Sequence, residues 1–370
     1  MLEIISPKEH QQIQHIVELT IQQLQMRYGT SKVLRGVHPK SHGFVSAKFE
    51  ILKTLPTGIP SVGLFAQPGR MFDNVDVRFS NAATLVRPDS TRGPKGDVHG
   101  SRGMAIKLHG VDGPLIDAEP GGERSQDFLM INQPVFAFAN VEDYEVLSRV
   151  LVDNKDDPGS FFAERFGTPP KSPKIPSEKR ALQTFVNVQR IQAATVGGEF
   201  PAFQEPPASP VDNDYFGAAP FLCGPDHVMR FKVSPLSRST AAPNVADNDY
   251  LRNAMKARMI PGNPDGEVKF EFKVWVRPAV DIKHPDVEIE DATQDWEPTD
   301  NADRYVTVAV LTIPLQDFDT PEQNQKDEAL IFTPWHCLEA HRPLGGINRL
   351  RRAVYQASVM FRNLPTFESK

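Results

Sequence analysis

The sequence predicts an α+β protein: an antiparallel β-barrel of about eight strands with surrounding helices and one further helix near the C-terminus. Several segments show the alternation of apolar and polar residues that is typical of half-buried strands. They follow one another along the chain, and helices do not alternate with them regularly. This order argues against the βαβ units of a parallel sheet. The 33 prolines also indicate long extended connections rather than a helical bundle.

The first third of the chain supplies one helix and several strands. Apolar residues at helical spacing predict an amphipathic helix over residues 8 to 28. A strand over residues 43 to 55 follows and ends at a turn rich in proline and glycine. Further strand-like blocks occupy residues 72 to 86, 97 to 110 and 127 to 138.

The middle of the chain contains two proline-dense stretches, residues 168 to 176 and 201 to 210, which flank a predicted helix over residues 178 to 195. A shorter helix precedes them near residues 142 to 153. Such prolines suit extended segments that wrap around a core. A domain linker is the alternative, but strand patterns resume beyond them.

The remaining strands occupy residues 215 to 221, 227 to 235, 267 to 278 and 305 to 313, each with the alternation of a half-buried strand. A helix over residues 247 to 259 interrupts them. We treat the acidic residues between 286 and 303 as a solvated loop, because they do not follow a calcium-loop pattern.

Composition excludes several classes of function. The formal net charge is -6 and the basic residues form no long run, which argues against nucleic acid as a partner. No apolar run has the length of a membrane span, and the N-terminus lacks the features of a signal peptide. We therefore expect a cytoplasmic protein.

Cofactor and catalytic motifs are limited as well. The two cysteines, Cys223 and Cys337, form no CxxC pair, which excludes cysteine-rich zinc sites, iron–sulfur clusters and covalently attached haem. The chain contains no GxGxxG, no P-loop and no GxSxG. Nucleotide binding and serine hydrolysis are thus not expected.

A helix over about residues 346 to 362 carries the most informative pattern. Arg351, Tyr355 and Arg362 stand at offsets of four and seven and so project from one face. Arg351 can stabilise a phenolate at Tyr355, and a phenolate is a haem-iron ligand in catalases. The alternative is an amphipathic helix with surface arginines and a core tyrosine.

Upstream, the segment RGVHPKSHG contains Arg35 and His38 three residues apart. His38 and His42 are four residues apart, but Pro39 disfavours a helix there and denies the pair a common face for a metal. As a single histidine in a loop, His38 could instead be structural.

The order of these motifs resembles that of haem catalases. RGVHPK resembles their distal segment, RFS and RGxAxK match two further family motifs, and RxxxY matches their proximal helix. The chain resembles the short catalase-related haem proteins, a group that includes minimal catalases and coral allene oxide synthases. It lacks the family's long N-terminal arm and extended C-terminal tail, so the interlocked tetramer is not expected; a dimer is our working assumption.

The resemblance implies haem b as a non-covalent cofactor, with Tyr355 as the axial ligand of its iron. Arg35, Arg78 and Arg362 would bind the propionates, Arg351 would tune Tyr355, and His38 would act on peroxide with support from Ser80. Val37 precedes His38 as in catalases, whereas the coral allene oxide synthases have a hydroxyl residue there. We give Arg102 and Lys107 structural roles only.

The family's peroxide-orienting asparagine has an ambiguous counterpart. Alignment on Asp127 and Pro134 puts Ile131 opposite it, with Asn132 one place later. Neighbouring strand residues face opposite sides, so an undisplaced strand would direct Asn132 away from the site. We assign the role to Asn132 on the condition that the loop is displaced locally.

These observations predict a helix over residues 1 to 30 and a haem-binding barrel over residues 31 to 370. The expected function is a haem-dependent catalase or peroxidase acting on hydrogen peroxide or organic hydroperoxides through a ferryl intermediate. The alternative is an enzyme that rearranges fatty-acid hydroperoxides, of the allene oxide synthase or hydroperoxide lyase type. A barrel that binds haem or lipid without catalysis is the third interpretation.

Overall fold

The computed structural model describes residues 2–29, 33–81, 101–117, 122–136, 138–155, 161, 208–242, 244, 247, 249–294, 296 and 304–363. Within these residues the helices are α1 Glu9–Tyr28, α2 Val141–Asp153, α3 Tyr250–Met259, α4 Pro285–Glu288, α5 Pro321–Ala329 and α6 Gly346–Arg362. The strands are β1 Lys40–Ile51, β2 Met71–Asn81, β3 Arg102–His109, β4 Ser125–Ile131, β5 Tyr215–Phe216, β6 Phe221–Leu222, β7 His227–Pro235, β8 Val268–Pro278 and β9 Val306–Ile313.

Eight of these strands close into an antiparallel barrel, which confirms the predicted fold class. Hydrogen-bonded neighbours follow the order β5, β4, β3, β2, β1, β9, β8, β7, and β7 pairs back onto β5 through Tyr215 and Val233. The short strand β6 adds to β7. Closure pairs the strand edges that an open sheet would expose.

The barrel interior is filled by side chains. In β2, Val75, Val77 and Phe79 are buried in the main hydrophobic core. Across the barrel, the ring of Phe128 lies 4.7 Å from that of Phe272. Because residues alternate along a strand, the intervening side chains of β2 project from the outer wall.

Three helices cover part of that outer wall. Helix α1 packs against α2 and α6, and the three share a buried apolar cluster. Its members are Ile16, Val141, Ala292, Ile347, Leu350 and Val354. These helices and the wall of β2, β3 and β4 enclose the site described below.

The observed elements differ from the predicted ones in three places. The predicted strand over residues 127 to 138 ends at Ile131, and the block at residues 215 to 221 is two short strands. The first strand runs from Lys40 to Ile51, earlier than its sequence pattern predicts. The helix expected at residues 178 to 195 and the stretch at 168 to 176 lie outside the described residues, as do most of residues 201 to 210.

Both cysteines are buried and form no disulfide. Burial raises the pKa of Cys223 to about 12 and also raises that of Cys337. None of the helices in the described part of the chain combines the length and hydropathy of a membrane span.

Candidate active site

A largely apolar cavity of about 290 Å³ lies between the outer barrel wall and helices α2 and α6. This volume is near the lower end for small-molecule pockets. The loop before β1 closes one side through Arg35, Val37 and His38. The cavity therefore combines apolar walls with a small set of polar groups.

Helix α6 presents Arg351, Tyr355 and Arg362 to this cavity, so the expected common face is confirmed. The guanidinium carbon of Arg351 lies 5.6 Å from the ring centroid of Tyr355. Arg351 also donates from Nη1 to Asn348 Oδ1 at 3.0 Å. One cation thus lies beside the tyrosine ring.

His38 lines the cavity from the barrel side. Its Nδ1 lies 3.1 Å from Ser80 Oγ, so the predicted pair is brought together. Burial, with the positive charges of Arg78 and Arg351, lowers the pKa of His38 to about 3. The imidazole is therefore neutral near pH 7 and able to accept a proton.

Gly103 of β3 makes the close approach of His38 possible. A Cβ atom at this position would lie 2.5 Å from His38 Nδ1 and 3.0 Å from Ser80 Oγ. Any side chain would displace the imidazole. Sequence analysis missed Gly103, although the glycine of RGxAxK inside a strand was a signal of close approach.

Three arginines meet at one end of the cavity. Arg78 is 4% exposed and donates from Nε to Asp327 Oδ1 at 2.6 Å. Arg35 donates to the backbone oxygens of Asp327 at 2.5 Å and Leu330 at 2.8 Å. Arg362 lies near enough to both arginines for their charges to interact.

This cluster carries more positive than negative charge. Burial and the neighbouring Arg78 lower the pKa of Arg35 to about 9 and lower that of Arg362 as well. Asp327, which sequence analysis missed, is the carboxylate in direct contact with Arg78 and Arg35. The excess charge suits a ligand that brings carboxylates of its own.

Asn132 does not line the cavity, so the condition for its predicted role, a local displacement of the loop, is not met and the assignment is wrong. Its Oδ1 accepts from the backbone N–H of Arg102 at 2.8 Å, and its own N–H donates to the Arg102 oxygen at 3.0 Å. Ile131 and Gln133, on either side of it, line the cavity instead. The undisplaced strand register determines this outcome.

The other residues considered from the sequence have structural positions. Arg102 and Lys107 are fully buried; Lys107 donates to Asp127 Oδ1 at 2.7 Å and Arg102 to Asn81 Oδ1 at 3.2 Å. His42 is buried as well. Within the described ranges, no three His, Cys, Asp or Glu side chains form a ligand set for a metal ion.

No protein-family model matches the chain, and no curated protein matches it by sequence. Solved structures do match. A bacterial catalase matches with a TM-score of 0.58 and 16% identity, over 88% of this chain and 56% of that one.

A fungal catalase matches with a TM-score of 0.62 and 14% identity, over 90% of this chain and 60% of that one. Catalase A from Saccharomyces cerevisiae also matches with a TM-score of 0.62 and 14% identity, over 90% of this chain and 62% of that one. The chain thus spans less than two thirds of the length of each structure. It has a catalase-like fold, as its motifs predicted.

Proposed function

We propose that this catalase-like chain binds haem b non-covalently and acts as a peroxide-active oxidoreductase. The observation that supports the proposal is the composition of one cavity. It is lined by Tyr355 and Arg351 of α6 and by His38 and Ser80 of the barrel side. A phenol beside a cation and a neutral imidazole are the two polar groups that such an enzyme requires.

The residues present fit a haem group. The apolar walls suit a porphyrin, and Tyr355 carries the phenol that would bind iron. The positive charge of Arg35, Arg78 and Arg362 suits the carboxylates of the propionates, because Asp327 and Glu328 offset only part of it. When bound, haem would supply the iron that accepts oxygen from peroxide.

Side chains of the protein would transfer the proton during the reaction. Ser80 hydrogen-bonds Nδ1 of His38, which leaves Nε2 as the nitrogen that acts on substrate. His38 takes the proton from one peroxide oxygen and returns it to the other as the O–O bond breaks. Arg351, beside the Tyr355 ring, favours the phenolate form of that side chain.

A specific observation favours a second candidate, an enzyme that rearranges fatty-acid hydroperoxides. Ile131 lines the cavity and pairs with Gly103. It occupies the position that aligns with the asparagine that orients hydrogen peroxide in catalases. An apolar residue beside His38 suits a substrate with an alkyl chain. Val37, which matches catalases, favours peroxide decomposition.

The experiment compares haem-loaded wild-type protein with His38→Ala and Tyr355→Phe, and with Tyr305→Phe as a control whose ring packs on Trp275. We expect oxygen release from hydrogen peroxide to fall at least about a hundredfold in the first two variants and to persist in the control. Absence of a Soret band in wild-type protein would refute haem binding.

Consumption of a fatty-acid hydroperoxide without a reducing donor and without oxygen release would instead establish the second candidate. Loss of that consumption in His38→Ala would still be expected, because both reactions begin at the same oxygen–oxygen bond.

A further inference from the structure

Gln133 has a buried side-chain amide that no described residue satisfies. The residue is 5% exposed, and both its Oε1 and Nε2 are without a hydrogen-bond partner among the residues that the structure describes. Buried amides are nearly always paired, because removing them from water is costly. Gln133 is also one of the residues that line the cavity. A ligand in the cavity would complete its hydrogen bonds.

Gln126, within β4, provides an internal comparison. It is 1% exposed, but its Oε1 accepts from Leu338 N–H at 3.0 Å and its Nε2 donates to the Asp127 oxygen at 3.3 Å. Gln126 does not line the cavity. One buried glutamine is therefore bonded within the fold, whereas the amide of the other, a cavity-lining residue, has no partner among the described residues.

Gln133 lies two residues beyond Ile131, the last residue of β4, and both residues line the cavity that His38 also lines. Ile131 pairs directly with Gly103, the residue that His38 approaches most closely. Asn132 turns to the backbone of Arg102, and Gln133 returns to the cavity side. Gln133 thus lies two residues after Ile131, whose strand partner Gly103 is in close contact with the His38 imidazole.

We propose that Gln133 binds the hydroperoxide group of the substrate. Its Nε2 donates to one peroxide oxygen and its Oε1 can accept from the peroxide O–H, while His38 moves the proton. A neutral amide can do both without altering the charge of the site. This inference rests on the proposed function and assigns to Gln133 the role that the sequence suggested for Asn132.

The test replaces each glutamine by methionine, which has a similar volume and no amide. Without haem, Gln133→Met should raise the melting temperature by a few degrees because it removes an unsatisfied group. Gln126→Met should lower it, because that change leaves the Leu338 N–H without its acceptor.

With haem, Gln133→Met should lower kcat/KM for hydroperoxide at least about tenfold and speed cyanide release, followed at the Soret band, by a similar factor. Gln126→Met should leave both rates unchanged. Gln133→Asn, which keeps the amide on a shorter arm, should recover part of the loss.

Two outcomes would overturn the inference, and they can be distinguished. Wild-type protein without a Soret band overturns the proposed function and this inference together. Normal haem uptake, with cyanide release and hydroperoxide turnover unchanged in Gln133→Met, overturns only the role of Gln133.

Discussion

Arg78 donates a hydrogen bond from Nη1 to the backbone oxygen of His38 at 3.0 Å. Its Nε donates to Asp327, so one buried guanidinium ties the loop of His38 to helix α5. His38 has a φ of 53°, in the left-handed region that few residues other than glycine adopt. Arg78 therefore stabilises the strained backbone conformation of His38, the residue proposed to accept the proton.

Replacing Arg78 by lysine should break this arrangement. The single ammonium group of lysine cannot reproduce the geometry with which the guanidinium binds both Asp327 and the backbone oxygen of His38. We expect the free energy of unfolding to fall by about 1–3 kcal/mol, measured by urea denaturation. Arg238→Lys, in an exposed ion pair with Asp214, is the control and should cost less than about 1 kcal/mol. Equal effects of the two variants would contradict the role of Arg78.

Gly103→Ala should destabilise the protein chiefly through its clash with His38. The added Cβ would lie 2.5 Å from His38 Nδ1, so we expect a loss of about 1–3 kcal/mol in the wild-type background. In a His38→Ala background the same change should cost much less. Additive effects in this double-mutant cycle, measured by urea unfolding, would show that the clash is elsewhere.

Acid should destabilise the fold through its buried neutral histidines. Burial lowers the pKa of His341 to about 4, while its Nε2 accepts from the Leu64 N–H at 3.0 Å. The unfolded chain takes up the proton near pH 6.5, so stability is full above that pH and falls as the pH approaches 4, by about 3 kcal/mol. His38 and His42, whose pKa values are also lowered, act in the same direction.

The measurement is the free energy of unfolding at pH 7 and at pH 4.5 for wild-type protein and His341→Gln. The variant should lose stability at pH 7 but show a smaller dependence on pH. An identical slope for the two proteins would exclude His341 as a source of the acid sensitivity.

Arg349 should be important for the stability of the helix that carries Tyr355. Its guanidinium donates to Glu9 at 2.6 Å, to Glu3 at 2.6 Å and to Glu290 at 2.9 Å. Arg349→Met leaves these carboxylates without their shared cation and should cost about 3 kcal/mol or more. Faster proteolysis within the segment that contains Glu3 and Glu9 should accompany it.

Arg352→Met is the matched control, since Arg352 is half exposed and pairs with Asp117. It should change the unfolding free energy by less than about 1 kcal/mol. A similar loss in both variants would mean that packing by the arginine stem, and not the cluster of carboxylates, stabilises α6.

Periodicity made a large part of the fold and site predictable. Helical offsets were enough to bring Arg351, Tyr355 and Arg362 to one cavity, and strand alternation correctly directed Asn132 away from it. Asp327 could not be found this way, because its partner Arg78 is 249 residues away in sequence. Gln133 could not be found this way, because no sequence pattern shows that its amide, unlike that of Gln126, lacks a hydrogen-bond partner in the fold.

The burial of both cysteines has a chemical consequence for a chain whose cavity would admit peroxide. Thiolates react with oxidants, but Cys223 and Cys337 are inaccessible and protonated at neutral pH. Oxidation by peroxide should therefore appear as methionine sulfoxide rather than at these thiols, and Met26, Met71 and Met360 are exposed to it. The two buried thiols would be spared, and the sulfoxide at exposed methionines would form where a reductase can reach it.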